Sequence, residues 1–86
     1  MKIIASELRE QGVNFAIVLV KKHILDNPFE RAEMIRSCQN LFPRVPVVLA
    51  AQNFRGDMSY YGRQDIAKFL SRVPFQAIPW SEYRVR

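Results

Sequence analysis

The chain is poor in the residues that build covalent or metal chemistry: one cysteine, one histidine, one tryptophan and three glycines. A lone Cys38 excludes an intrachain disulfide. With His23 as the only imidazole, it also fits no metal-ligand spacing, so neither a cofactor nor a metal is expected. No Gly-rich phosphate loop, nucleophile elbow or pair of metal-binding histidines can be written. Long hydrophobic runs are missing too. The longest, Phe15 to Val20, falls far short of the roughly 20 residues that span a bilayer. The opening MKIIASELRE carries charges where a signal peptide needs its apolar region, so a cytoplasmic location with no membrane partner is expected. Blocks of like charge are absent as well: 13 Lys and Arg against 8 Asp and Glu give a net charge of +5, but the basic residues are scattered along the chain. Such a balance serves solubility and keeps an anionic partner in view without pointing to nucleic acid.

What is present suits a globular domain. The 86 residues are 49% apolar and 24% charged, without repeats or low-complexity segments, and they are expected to form a single α/β domain over residues 1–86. Phe15 to Val20 is rich in β-branched residues and too short for a helix, which predicts a central strand buried on both faces. Before it, Ser6 to Gly12 reads as a short helix with Ser6 as N-cap and Gly12 just past its end. Met1 to Ile4 is compatible with a brief strand or with an extension of that helix.

In DNPFERAEMIRSCQNLFPRVP the helix signals agree. Asn27 caps, Pro28 suits the first position, Glu30 is placed to return a hydrogen bond to the cap, and Pro43 ends the helix. Apolar residues at 34, 35, 38, 41 and 42 share one face, which makes Cys38 a buried hydrophobe rather than a reactive thiol. VPVVLAAQ, residues 45–52, is a second strand, parallel to the first across the helix. The Arg55-Gly56-Asp57 tripeptide then reads as a hairpin tip in which Gly56 supplies a positive φ, before a short strand at Ser59-Tyr60-Tyr61. Ile66, Phe69, Leu70 and Val73 form the apolar stripe of another helix that Pro74 ends. The last segment, FQAIPWSEYRVR, is extended, with Pro79 confining part of it to an edge and its last residues loosely held.

The order is therefore βαββαβ after a short N-terminal helix, on a mixed sheet. From residue 45 to 73, a strand beginning after Val45-Pro46, then a turn, a short strand and a helix resemble the C-terminal half of the thioredoxin-like fold. That resemblance implies a redox-inactive member, because Asn27-Pro28-Phe29-Glu30 stands where the family's Cys-x-x-Cys pair belongs. NFAIVLVKK through VPVVLAAQ is similar to part of a response-regulator receiver domain, a small doubly wound sheet. Lys21 and Lys22 stand there in place of the acceptor aspartate, so phosphotransfer would be lost. Neither pattern assigns a family.

Each carboxylate has a structural role at a turn or helix start, and a Cys38–His23 pair would have its thiol buried. An enzyme is therefore not expected. Two binding surfaces are. Lys21, Lys22 and His23 leave the carboxyl end of the first strand and Gln52, Asn53 and Arg55 that of the second, a set suited to a small anionic ligand or an acidic protein surface. Tyr60, Tyr61, Trp80 and Tyr83 lie on short extended segments, where aromatics suit an interface with a protein partner or a second copy, and where stacking keeps nucleic acid as the alternative. The expectation is a small binding or regulatory module.

Overall fold

The computed structural model describes residues 1–10 and 12–85. In chain order the elements are β1 (Lys2–Glu10), β2 (Val13–Leu19), α1 (Lys22–Asp26), α2 (Pro28–Leu41), β3 (Val47–Gln52), β4 (Met58–Tyr61), α3 (Gln64–Leu70), a single 3-10 turn (Phe75–Ala77) and β5 (Ser81–Arg84). The strands form one mixed sheet in the order β4-β3-β2-β1-β5. Only β2 and β3 are parallel; the other three pairings are antiparallel. This is an α/β domain, but with one parallel pair it is not a doubly wound parallel sheet.

The two helical layers follow from the alternation of side chains along the inner strands. Ala16 and Val18 of β2 and Val47, Leu49 and Ala51 of β3 join Leu25, Cys38 and Phe42 in a core under α1 and α2. Phe15, Ile17, Val48 and Ala50 point the other way and join Ile66, Leu70 and Ile78 under α3 and the 3-10 turn. A strand facing a helix on each side has no solvent face, which is why β2 and β3 are continuous apolar runs.

Local chemistry places α2. The Asn27 side chain accepts hydrogen bonds from the backbone N–H groups of Phe29 and Glu30 at 3.0 and 3.1 Å, and Pro28 occupies the first helical position. Glu30 does not complete a capping box. Its carboxylate lies 3.5 Å from Nδ1 of His23 on α1. At the other end Gln39 Nε2 donates to the carbonyls of Phe42 and Val45, which fastens the connection that feeds β3.

The N-terminal stretch corrects the sequence reading. Ser6 to Glu10 belongs to the long strand β1, which pairs β2 from Ile4↔Leu19 to Glu10↔Val13 and β5 from Lys2↔Arg84 to Ala5↔Ser81. Glu, Leu and Arg are good helix formers, but propensity is a small bias per residue, and a strand that completes two ladders gains more from its neighbours than propensity offers. Gly12, with φ of 79°, is a residue of the tight β1–β2 hairpin rather than a helix terminator. Ser6, expected as a cap, is buried in the middle of the sheet opposite Ile17. The short α1 lies on residues whose charges concealed it. The last described residue is also held: Val85 is buried, and its N–H and carbonyl bond the backbone of Met1.

Candidate functional site

Parallel pairing brings the carboxyl ends of β2 and β3 to one end of the sheet, where Val20 N–H donates to Ala50 O at 2.8 Å. Lys21, Lys22, His23, Gln52, Asn53 and Arg55 therefore leave the sheet at the same end, but their side chains serve separate partners. Lys22 pairs with Asp26 one helical turn on, and His23 faces Glu30. Gln52 Nε2 donates to Gly56 O at 3.1 Å. Among the described residues only Lys21 and Arg55 of the six lack a carboxylate or hydrogen-bond partner for the side chain.

Asn53 is a builder of the turn. Its Oδ1 accepts from the N–H groups of Arg55 and Asp57 at 2.9 and 3.0 Å, while Gly56 N–H donates to Asn53 O and Asn53 N–H to Asp57 O. With φ of 90° at Gly56, the tight turn ends on a left-handed residue of the kind glycine favours. A side chain at Gly56 has room, since its Cβ would meet only Gln52 Nε2 at 3.6 Å, so the penalty is conformational. Gly56→Val is expected to lower stability by about 1–3 kcal/mol, whereas Arg55→Ala and Asp57→Ala stay within about 0.5 kcal/mol. Thermal denaturation of the three variants checks this ranking.

The aromatic residues do not gather. Trp80 donates its indole N–H to Phe75 O at 3.1 Å and packs on the Phe75 ring at 5.2 Å, bracing the 3-10 turn against the sheet. Tyr83 meets Phe42 edge-on at 5.2 Å, closing the α2 core at β5. Tyr60 and Tyr61 sit at the opposite edge, on β4. Burial of Tyr60 beside the α3 core pushes its phenol above the ordinary range. Tyr61 points to the α2 face and is 40% exposed.

Tyr61 leads to the arrangement that the sequence concealed. The Arg31 guanidinium lies 3.9 Å from the centre of its ring, held from behind by Nη1 donating to Leu25 O at 3.2 Å. No carboxylate among the described residues pairs with Arg31. Between α2 and Tyr61 runs a groove of about 410 Å³ walled by Pro28, Ala32, Ile35 and Gln39 and carrying Arg31 and Arg36. On the other face of β4 a second groove of about 430 Å³ lies between Met58 and Tyr60 and the segment Val73 to Gln76. Nothing in the spacing of Arg31 and Tyr61 could have signalled their contact, which depends on how α2 crosses the sheet.

β4 itself is an open edge, because it pairs β3 on one side and, among the described residues, no strand on the other. The closing bond from Asn53 N–H to Asp57 O sets the alternation of the ladder: Ser59 and Tyr61 bond inward to Ala51 and Leu49, and Met58 and Tyr60 turn their N–H and C=O groups outward. The other edge is guarded. β5 carries Glu82, paired with Lys2, and Arg84, whereas Met-Ser-Tyr-Tyr of β4 has no charged residue.

Cys38 has no part in either surface. It is fully buried in the α2 core, and burial pushes its thiol up, away from the reactive thiolate. Compared with known proteins, the chain matches no family model, no curated protein and no solved structure.

Proposed function

We propose that this chain is a non-enzymatic binding module for a protein partner, and that it binds by adding a strand of the partner to β4. The observation that carries the reading is the unguarded β4 edge, with backbone groups of Met58 and Tyr60 directed outward and a groove on each face of the strand. An added strand would lie about 4.8 Å from β4, and its alternate side chains would enter the two grooves. Main-chain bonds would supply affinity and the groove walls selectivity. A redox-inactive thioredoxin-like domain would be a narrower form of the same role, supported by the element order from β2 to α3.

The reading is tested with a display library of random peptides about six residues long, the length of an ordinary strand. Wild-type protein is expected to select peptides that slow hydrogen exchange at the N–H groups of Met58 and Tyr60. Met58→Pro, which removes an outward donor and leaves the bonds to β3 in place, should abolish their binding. Peptides that bind the variant as well as the wild type, or that leave those two amides unprotected, would refute strand addition.

A further inference from the structure

We infer that the segment taken by β4 is an extended peptide of acidic character, with a carboxylate on the face turned toward α2. This rests on β4 acting as a strand-addition edge and adds what the partner must carry.

The α2-side groove supplies two guanidinium groups, Arg31 and Arg36, and no carboxylate lines it. Arg36 is already paired with Glu33. Arg31 has one nitrogen on the Leu25 carbonyl and its guanidinium carbon over the Tyr61 ring. Those two contacts fix the orientation of a group that would otherwise sweep through solvent, and they leave its remaining N–H groups free to donate to a carboxylate in fork geometry. Tyr61 and Ser59 share this face, since they pair with Leu49 and Ala51 of the α2 core. A peptide residue standing beside Tyr61 in an added strand would thus reach into the groove beside Arg31. On the opposite face Met58, Val73 and Phe75 stand beside Gln52, Asp57 and Gln76, a mixed wall that adds no second cation to the site.

A second copy of the chain is a poorer occupant. Each copy brings a net charge of +5, and two β4 strands paired edge to edge would set Arg31 near its own equivalent, a like-charge contact with no acid lining the α2-side groove to relieve it. Nucleic acid fits less well for another reason. Tyr61, the exposed aromatic of β4 itself, already has Arg31 on its face, so that face is closed to a stacked base. The open backbone groups of Met58 and Tyr60 also match a peptide strand rather than a phosphate chain.

The test uses two fluorescein-labelled peptides, Thr-Glu-Val-Glu-Val-Thr and the same sequence with Gln in place of both Glu, titrated by anisotropy at low salt against the whole chain. The Glu peptide is expected to bind wild type roughly fivefold more tightly than the Gln peptide, the size expected of a partly exposed ion pair. In Arg31→Met that preference should vanish while binding by both peptides persists. Ser59→Glu, which sets a carboxylate on the same face in competition for Arg31, should abolish it as well. Met58→Pro should remove binding of both peptides. Equal binding of the two peptides to wild type, with loss in Met58→Pro, overturns the acidic preference and leaves strand addition standing. Failure of both peptides to bind overturns strand addition and this inference together. Sedimentation that reveals a dimer broken by Met58→Pro would give the edge to a second copy. An oligouridylate that displaces the Glu peptide and binds Met58→Pro as well as wild type would give the groove to nucleic acid.

Discussion

Phe15→Ala is expected to remove about 3–5 kcal/mol of stability. Phe15 is 1% exposed and belongs to the core that joins β2 to α3, with Ile66 and Phe69 of α3 lining the same small hollow beside it. Truncation forfeits the transfer free energy of the ring and leaves a void. The void cannot collapse easily, because its floor is the sheet and its roof is a helix anchored by Leu70, which is fully buried. A domain of this size holds on the order of 4–13 kcal/mol in all, so this one change should bring it close to unfolding at ordinary temperature. Urea denaturation should give a much lower midpoint with an unchanged slope. Phe15→Leu, which keeps most of the volume, should lose less than about 1.5 kcal/mol. A loss under about 1 kcal/mol for Phe15→Ala would mean that α3 does not close this face.

Gly62→Ala is the second large effect, at about 1–3 kcal/mol from overpacking. A Cβ built at Gly62 would stand 2.8 Å from Val48 Cγ2 and 3.1 Å from Val48 Cα. The first atom could swing aside. The second is backbone of β3, a strand paired on both sides by β2 and β4, and cannot retreat without disturbing both ladders. The absence of a side chain is therefore what lets the chain leave β4 close against β3 and turn toward α3. Because the strain falls at the end of β4, the variant should also lose peptide binding at that edge. A double-mutant cycle with Val48→Ala checks the cause. Removing Cγ2 should relieve part of the clash, so that the double mutant is more stable than the two single effects added together. Strict additivity would place the cost of Gly62→Ala elsewhere.

The two glycines of this region show where reading residues in order succeeds and where it stops. Gly56 was legible: Asn53, Gly56 and Asp57 between two β-forming segments specify a turn through their own conformational preferences, and those act over five residues. Gly62 read only as a break in a strand. Its larger role is set by Val48, fourteen positions earlier, and no local pattern links the two.

The same division runs through the fold and the binding surface. The sequence by itself determined β2 and β3, because a strand covered on both faces must be apolar without interruption. It determined α2 and α3 as well, since cap, proline and a 3.6-residue stripe are properties of a short segment. It placed Cys38 in the core and the six polar positions at the carboxyl ends of β2 and β3. Only the tertiary structure decided that Ser6 to Glu10 is strand, because ladders to Val13–Leu19 and Ser81–Arg84 outweigh a weak local preference for helix. It also parted the side chains of Lys22, His23 and Asn53 among nearby partners, and it sent Trp80 and Tyr83 into packing roles on opposite faces of the sheet. Above all it laid Arg31 on Tyr61 beside an unguarded edge. That contact joins residues thirty apart through the crossing of α2 over the sheet, a geometry set by the packing of two cores and written in neither segment alone.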